Sequence, residues 1–127
     1  LLGMVDVKLV GEFIDLLLQK KASPVIEFLN KTIEKGGDPQ EFAKSLINYL
    51  RYGLILKIGP ELSSQIITGL TGEEKEKLQA QIVSVSEPDI SRTLKLFMDA
   101  ENKMKYSPIP QLPLELAIIE SLQKEEK

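Results

Sequence analysis

Apolar side chains recur every three to four residues through most of this chain, in six stretches, each opening at a helix-start signal and separated by glycine or proline. The first opens at Asp6, an N-cap, with Val5 and Val10 placed as a hydrophobic staple. Val10, Phe13, Ile14, Leu17 and Leu18 then share one helical face. Ser23-Pro24 opens a second helix, serine as cap and proline in the first turn, where its missing N–H costs nothing. Val25, Ile26, Phe28, Leu29 and Ile33 form its stripe, and Gly36-Gly37 ends it. Asp38-Pro39-Gln40-Glu41 is the clearest start in the chain, with Asp38 as cap and Glu41 reaching back to close a capping box. The helix that follows runs to Ile58, where Gly59-Pro60 stops it. Phe42, Leu46, Tyr49, Leu50, Leu54 and Ile58 line one side, with Ala43, Ile47 and Ile55 beside them, a face wide enough for neighbours on two sides. This is expected to be the central helix.

In residues 60–70, Leu62, Ile66, Ile67 and Leu70 fit one short helix, against which two β-branched neighbours and Gly69 count. Thr71-Gly72-Glu73-Glu74 reads as a second capping box, opening a helix through Leu78, Ile82 and on toward Val85. Ser86-Glu87-Pro88-Asp89 opens a long element in which Ile90, Leu94, Phe97, Met98 and Met104 recur, ending near Tyr106. Ser107-Pro108-Ile109-Pro110 is a stiff linker, and Pro113 starts a last helix carrying Leu114, Leu116, Ala117, Ile118, Ile119 and Leu122. No run alternates apolar and polar residues with β-branched enrichment, and no repeat of solenoid period appears. The pattern predicts an all-α fold: a single bundle of five to six helices over residues 6–122, followed by a charged, fraying tail at 123–127.

Composition narrows what such a bundle does. The 127 residues fit one domain, and an apolar content of 43% is that of an ordinary globular chain. Sixteen basic and nineteen acidic side chains leave a net charge of −3, with the basic ones dispersed. Nucleic-acid domains concentrate positive charge, because phosphate neutralisation supplies much of their affinity. Lys20-Lys21 and Lys103 with Lys105 come nearest, and they read better as solvated helix ends. No apolar run approaches the ~20 residues that span a bilayer, and no leader precedes a small-residue cleavage site. A cytoplasmic location is expected. The opening Leu1, in place of Met, points to a piece of a longer polypeptide; a processed mature terminus would look the same.

The chain has no His, no Cys and no Trp, so the common metal ligands, thiol nucleophiles and imidazole bases are missing. Gly36-Gly37 lacks the pattern and the Lys-Ser/Thr ending of a phosphate-cradling loop and fits a helix C-cap. Glu73, Glu74 and Glu76 are explained by the helix dipole better than by a cation that wants six to eight oxygens. The serines have no candidate base, and the Met and Phe positions fall in register with the core. No catalytic, cofactor-binding or metal-binding residue is expected here. Two charges stand inside apolar runs: Arg51 within Tyr49 to Ile58, and Glu115 within Leu112 to Ile119. A charge there is costly unless paired. The expectation is an ion pair from Arg51 to Glu115, bridging the central and last helices; the alternative is that each points to solvent.

Several strings, taken in order, resemble the C-terminal helical domain shared by the gamma and tau subunits of the bacterial DNA polymerase III clamp loader. They are Leu2-Gly3 with Asp6, Phe13-Ile14-Asp15-Leu16-Leu17, Gly37-Asp38-Pro39-Gln40-Glu41-Phe42, Leu50-Arg51 before Leu54-Ile55-Leu56-Lys57, and Leu112-Pro113-Leu114-Glu115-Leu116-Ala117-Ile118-Ile119 behind a Ser-Pro linker. Each is common alone; their succession across essentially the whole chain carries the resemblance. Glu120 departs from it, standing where family members carry a basic or aliphatic residue. The resemblance implies a collar domain. An ATP-binding AAA+ module, which would hold ATP and magnesium, and its lid would precede residues 1–5, the linker. Helical domains of gamma or tau copies, delta and delta-prime would pack into a ring. Sliding clamp and primer–template DNA would be met only through the parent assembly. Val25, Phe28, Tyr49, Leu56 and Phe97 are the candidate interface residues, with one contact face expected near the long third helix and one near the fifth and last helices. Three competing readings stand beside this one. The first is a free-standing helical adaptor docking a partner helix. The second is a small enzyme working with Lys and Glu alone. The third is a helix-turn-helix reader using Asp38 to Arg51, although that helix lacks the Arg, Gln and Asn that meet base edges.

Overall fold

A computed structural model describes residues 6–123. Among them are seven α-helices and no strand: α1 (Val7–Leu18), α2 (Ala22–Glu34), α3 (Pro39–Ile58), α4 (Ser63–Ile66), α5 (Gly72–Ile82), α6 (Glu87–Met104) and α7 (Leu112–Ser121). The fold is all-α, with one or two helices more than the expected five to six. The excess arises between residues 60 and 70. A 3-10 turn (Pro60–Leu62) runs into the four-residue α4, and β-branched Ile67 then leaves the helix in extended conformation and buries its side chain.

Most start signals work as local chemistry requires. Asp6 accepts from the Lys8 amide, Asp38 from the amides of Gln40 and Glu41, and Ser86 from that of Asp89. Thr71 and Glu74 form a complete capping box, at 3.1 Å and 2.9 Å. Two signals are corrected. Glu41 bonds forward to Lys44 at 3.3 Å in place of a bond back to Asp38. Helix α2 begins at Ala22 with Lys21 as an N-cap that offers no side-chain acceptor, so Ser23 and Pro24 both sit inside the first turn. The Val5 staple, the 1–5 linker and tail residues 124–127 lie outside the described residues. Helix α2 closes at Gly36, whose φ of +100° suits a residue without Cβ. After α1, Lys20 takes the same role at φ 61°, a conformation uncommon for a lysine.

The helices pack in a closed circuit. From α7 the contacts pass to α6, α3, α5, α1 and α2 and return to α7, while α1 also touches α3 across the middle. The expected centrality of α3 holds: its buried positions, from Phe42 to Leu56, face α6, α1 and α5. Phe13 anchors the interior, its ring edge-on to Phe42 at 5.2 Å and to Phe97 at 6.2 Å. Leu29, Leu46, Leu78, Leu114 and Ile118 complete the core, fully buried. Truncating one such side chain to alanine costs ~2–5 kcal/mol. Gly53 lets α3 and α5 approach: a Cβ there would lie 3.2 Å from Ile82 and 3.4 Å from Leu78.

Candidate functional site

The structure separates the two charges that the sequence pairs. Arg51 is exposed on α3, whereas the half-buried Glu115 of α7 accepts from Asn30 of α2 at 2.7 Å. Asn30 also donates to the Ile26 carbonyl and accepts from Gln111. A neutral amide therefore satisfies Glu115 without bringing a second charge out of water. The interface candidates are corrected as well. Val25, Tyr49, Leu56 and Phe97 are interior side chains, and Phe28 is half-buried with its ring tilted 6.4 Å from Phe13. Helical period places these residues on an apolar face; it does not say that the face is already covered.

What the sequence reading missed is a set of polar ties between distant helices. Gln81 of α5, 7% exposed, accepts from the Tyr49 hydroxyl at 2.5 Å and donates to the Gly11 carbonyl at 3.0 Å and to Asp15 at 2.8 Å. Lys77 pairs with the other Asp15 oxygen at 3.1 Å. Burial, with lesser contributions from the negative charges of Asp15 and Glu74, pushes the Tyr49 hydroxyl up to about 12. Two cations cap helix ends. Lys57 of α3 donates to the carbonyls of Ile82 and Val83 behind α5, each at 3.2 Å. Arg92 of α6 donates to those of Glu120, Ser121 and Gln123 at 2.7, 3.2 and 3.2 Å, closing α7 where the dipole favours positive charge. Gln40 ties the start of α3 to Glu101 of α6 at 3.0 Å. Every described buried side-chain N and O atom has a partner. Nothing in the sequence spacing of Gln81, Asn30 and Arg92 marks them as ties, and only their spatial neighbours distinguish them.

Two hollows remain. One, of about 70 Å³, lies between α1, α3, α5 and the start of α6 and is walled chiefly by Ile14, Leu17, Leu50, Leu78, Ile82 and Ile90. The other is an open groove between α6 and α7, lined by charges of both signs including Lys95, Asp99 and Glu120. In the groove the Ser91 hydroxyl donates to the Glu87 carboxylate at 3.2 Å, an exposed contact within one turn of α6. Among the described residues no three carboxylates converge as metal ligands, and no helix is long and apolar enough to cross a membrane.

The candidate site is therefore a surface. Helix α7 is apolar on both sides: Leu114, Ala117 and Ile118 face the core, while Leu112, Leu116 (57% exposed) and Ile119 face away from it. A helix apolar all round normally has neighbours all round. A second uncovered group stands at the C-terminal end of α3, where Ile58 (59% exposed), Leu62 and, behind α5, Val83 (77%) are open. In the circuit of helices α7 and α5 stand opposite one another.

The sequence profile of the family described as DNA polymerase III subunits gamma and tau domain III matches residues 1–125. The DNA polymerase III subunit tau of Bacillus subtilis (strain 168) is 27% identical over 125 residues, covering 95% of this chain and 21% of that protein. The DNA polymerase III subunit gamma/tau of Mycobacterium tuberculosis (strain ATCC 25618 / H37Rv) is 23% identical over 116 residues, covering 91% of this chain and 20% of that protein. The Mycobacterium bovis protein of the same name matches equally. The chain spans about a fifth of the length of these curated relatives.

Proposed function

We propose an oligomerisation role, from the premise that this chain belongs to the family of DNA polymerase III subunits gamma and tau domain III. In this reading the domain is a collar segment of a clamp-loader subunit working in the cytoplasm. It holds AAA+ modules carried by gamma or tau copies, delta and delta-prime side by side while those modules use ATP and magnesium to load a sliding clamp on primer–template DNA. The domain performs none of that chemistry; its work is to keep the modules at high effective concentration.

One observation carries the proposal: the outward face of α7 is apolar although the interior beneath it is complete. Patches of this kind mark protein interaction sites. The uncovered residues at the far end of α3 supply a second face, which a contact between non-equivalent surfaces requires.

The test uses the full-length subunit mixed with its clamp-loader partners and followed by light scattering coupled to size exclusion. Leu116→Lys is expected to abolish assembly while far-ultraviolet circular dichroism and the ATPase of the free subunit stay as in the parent. Assembly at parental affinity would refute the role. Loss of binding to a single helical protein outside the clamp loader, with subunit assembly intact, would move the function to that of an adaptor.

A further inference from the structure

We infer that two different faces of this domain meet head to tail, the outward stripe of α7 in one copy lying against the outward stripe of α3 in a second copy. The inference rests on the proposed oligomerisation role and adds to it which side chains meet. On α7, Leu112, Leu116 and Ile119 stand at i, i+4 and i+7, opposite the buried Leu114, Ala117 and Ile118, with exposed Glu120 beside them. On α3, Arg51, Ile55 and Ile58 repeat the same spacing on the side away from buried Leu46, Tyr49, Gly53 and Leu56; Arg51 and Ile58 are exposed and Ile55 is half-buried. Residues so spaced share one side of a helix.

Laid antiparallel, the stripes set Leu112 on Ile58 and Leu116 on Ile55, and bring Arg51 to Ile119 and Glu120. The guanidinium then meets a carboxylate at the rim of an apolar seam. A parallel arrangement sets Arg51 on Leu112 and Glu120 beside Ile58, and pairing either stripe with itself gives neither charge an opposite. Charge complementarity thus selects the partner face and its direction. The stripes lie on different helices, so one copy engages two neighbours at once, as a ring or a chain of copies demands. Each side offers three apolar or amphipathic positions, less than the ~800 Å² per partner of a stable interface. The contact is accordingly weak in the free domain and gains strength through the modules attached to it.

The chain contains no cysteine, which makes disulfide trapping clean. Ile58→Cys and Leu112→Cys are prepared as separate variants of this chain, whose core and buried polar groups are complete without a partner. Under mild oxidation at high chain concentration the mixture is expected to give a cross-linked dimer at least tenfold faster than either variant alone. Arg51→Glu or Glu120→Arg in that background slows trapping at least tenfold, and the two reversals placed on opposite partners restore it. Faster trapping of one variant with itself would overturn the head-to-tail contact in favour of a symmetric one. No trapping in a mixture whose unsubstituted parent self-associates by sedimentation would overturn the faces and leave the oligomerisation role standing. If the parent fails to self-associate and the full-length subunit also fails to assemble, both readings fall together.

Discussion

The bond network around Gln81 makes a quantitative prediction. Replacing Gln81 with leucine keeps the side chain's size and removes three hydrogen bonds between α5, α3 and α1. The Tyr49 hydroxyl, on a residue only 3% exposed, is left without a partner. Stranding a buried hydroxyl costs ~1–3 kcal/mol. The Gly11 carbonyl loses one acceptor contact within α1, adding up to ~1 kcal/mol. Asp15 is 48% exposed and retains Lys77, so water replaces its lost bond. The new leucine returns ~1 kcal/mol by burying apolar surface. At the middle of these ranges the net loss is ~1.5 kcal/mol, which at a urea dependence of ~1.5 kcal/mol per molar lowers the midpoint by ~1 M. Urea unfolding followed by circular dichroism measures this directly. The Tyr49→Phe/Gln81→Leu pair is the sharper arm, because removing both partners leaves no hydroxyl stranded. It should cost at least ~1 kcal/mol less than the sum of the single variants. A single-variant loss within error of zero, or strict additivity in the pair, would show that these bonds contribute nothing.

Three further expectations follow from named contacts. Tyr49 holds its proton more tightly when folded, so this stability is complete below 10.0, the ordinary tyrosine value, and is lost as pH rises toward about 12. The stability gap between the parent and Tyr49→Phe should narrow by up to ~1.4 kcal/mol per pH unit across that window, and a gap that holds constant or widens refutes the sign. Arg92→Ala removes the donors closing α7; at a half-exposed site it should cost about 1 kcal/mol, with amide exchange accelerating first from Glu120 to Gln123. Uniform exchange across α7 would contradict it. Lys20→Gly relieves a left-handed lysine and should raise stability by ~0.5–1 kcal/mol, read as a higher urea midpoint; a lower midpoint would mean that the lysine side chain makes a compensating contact.

Features that depend on adjacent residues were legible in the sequence, and those that depend on which helix lies next door were not. Asp6, Asp38, Thr71 and Ser86 cap their helices because an acceptor two or three residues ahead of a free amide is a local arrangement. The breadth of α3's apolar face correctly implied neighbours on several sides. The same breadth misled the choice of interface residues, since a face wide enough for two neighbours inside the domain looks identical to one awaiting a partner outside it. Val25, Tyr49, Leu56 and Phe97 met the first fate. Reasoning that a charge amid apolar residues needs an opposite charge failed for Glu115, whose partner is the neutral Asn30, 85 positions away. Arg51 needed no partner within the fold, because it lies on the outer side of its helix.

Under the proposed oligomerisation role, the polar ties also bear on why a small apolar surface would be sufficient for assembly. Helix α7, which presents Leu112, Leu116 and Ile119, is held at its C-terminal end by Arg92 and at its first turn by the bonds of Glu115 and Gln111 to Asn30. Helix α3, which presents Arg51, Ile55 and Ile58, is fixed at its start by Gln40 to Glu101, at mid-length by Tyr49 to Gln81, and at its last turn by Lys57 on the end of α5. Both helices are tied into the fold without a partner, so association is expected to order little new structure, and ordering is a main cost of binding. Loosening α7 without touching its outward residues should therefore weaken assembly: Arg92→Ala in the full-length subunit is expected to lower affinity for its neighbours although Arg92 is absent from the inferred seam. Unchanged affinity alongside faster exchange at the end of α7 would show that the face docks equally well when mobile, and that preorganisation plays no part.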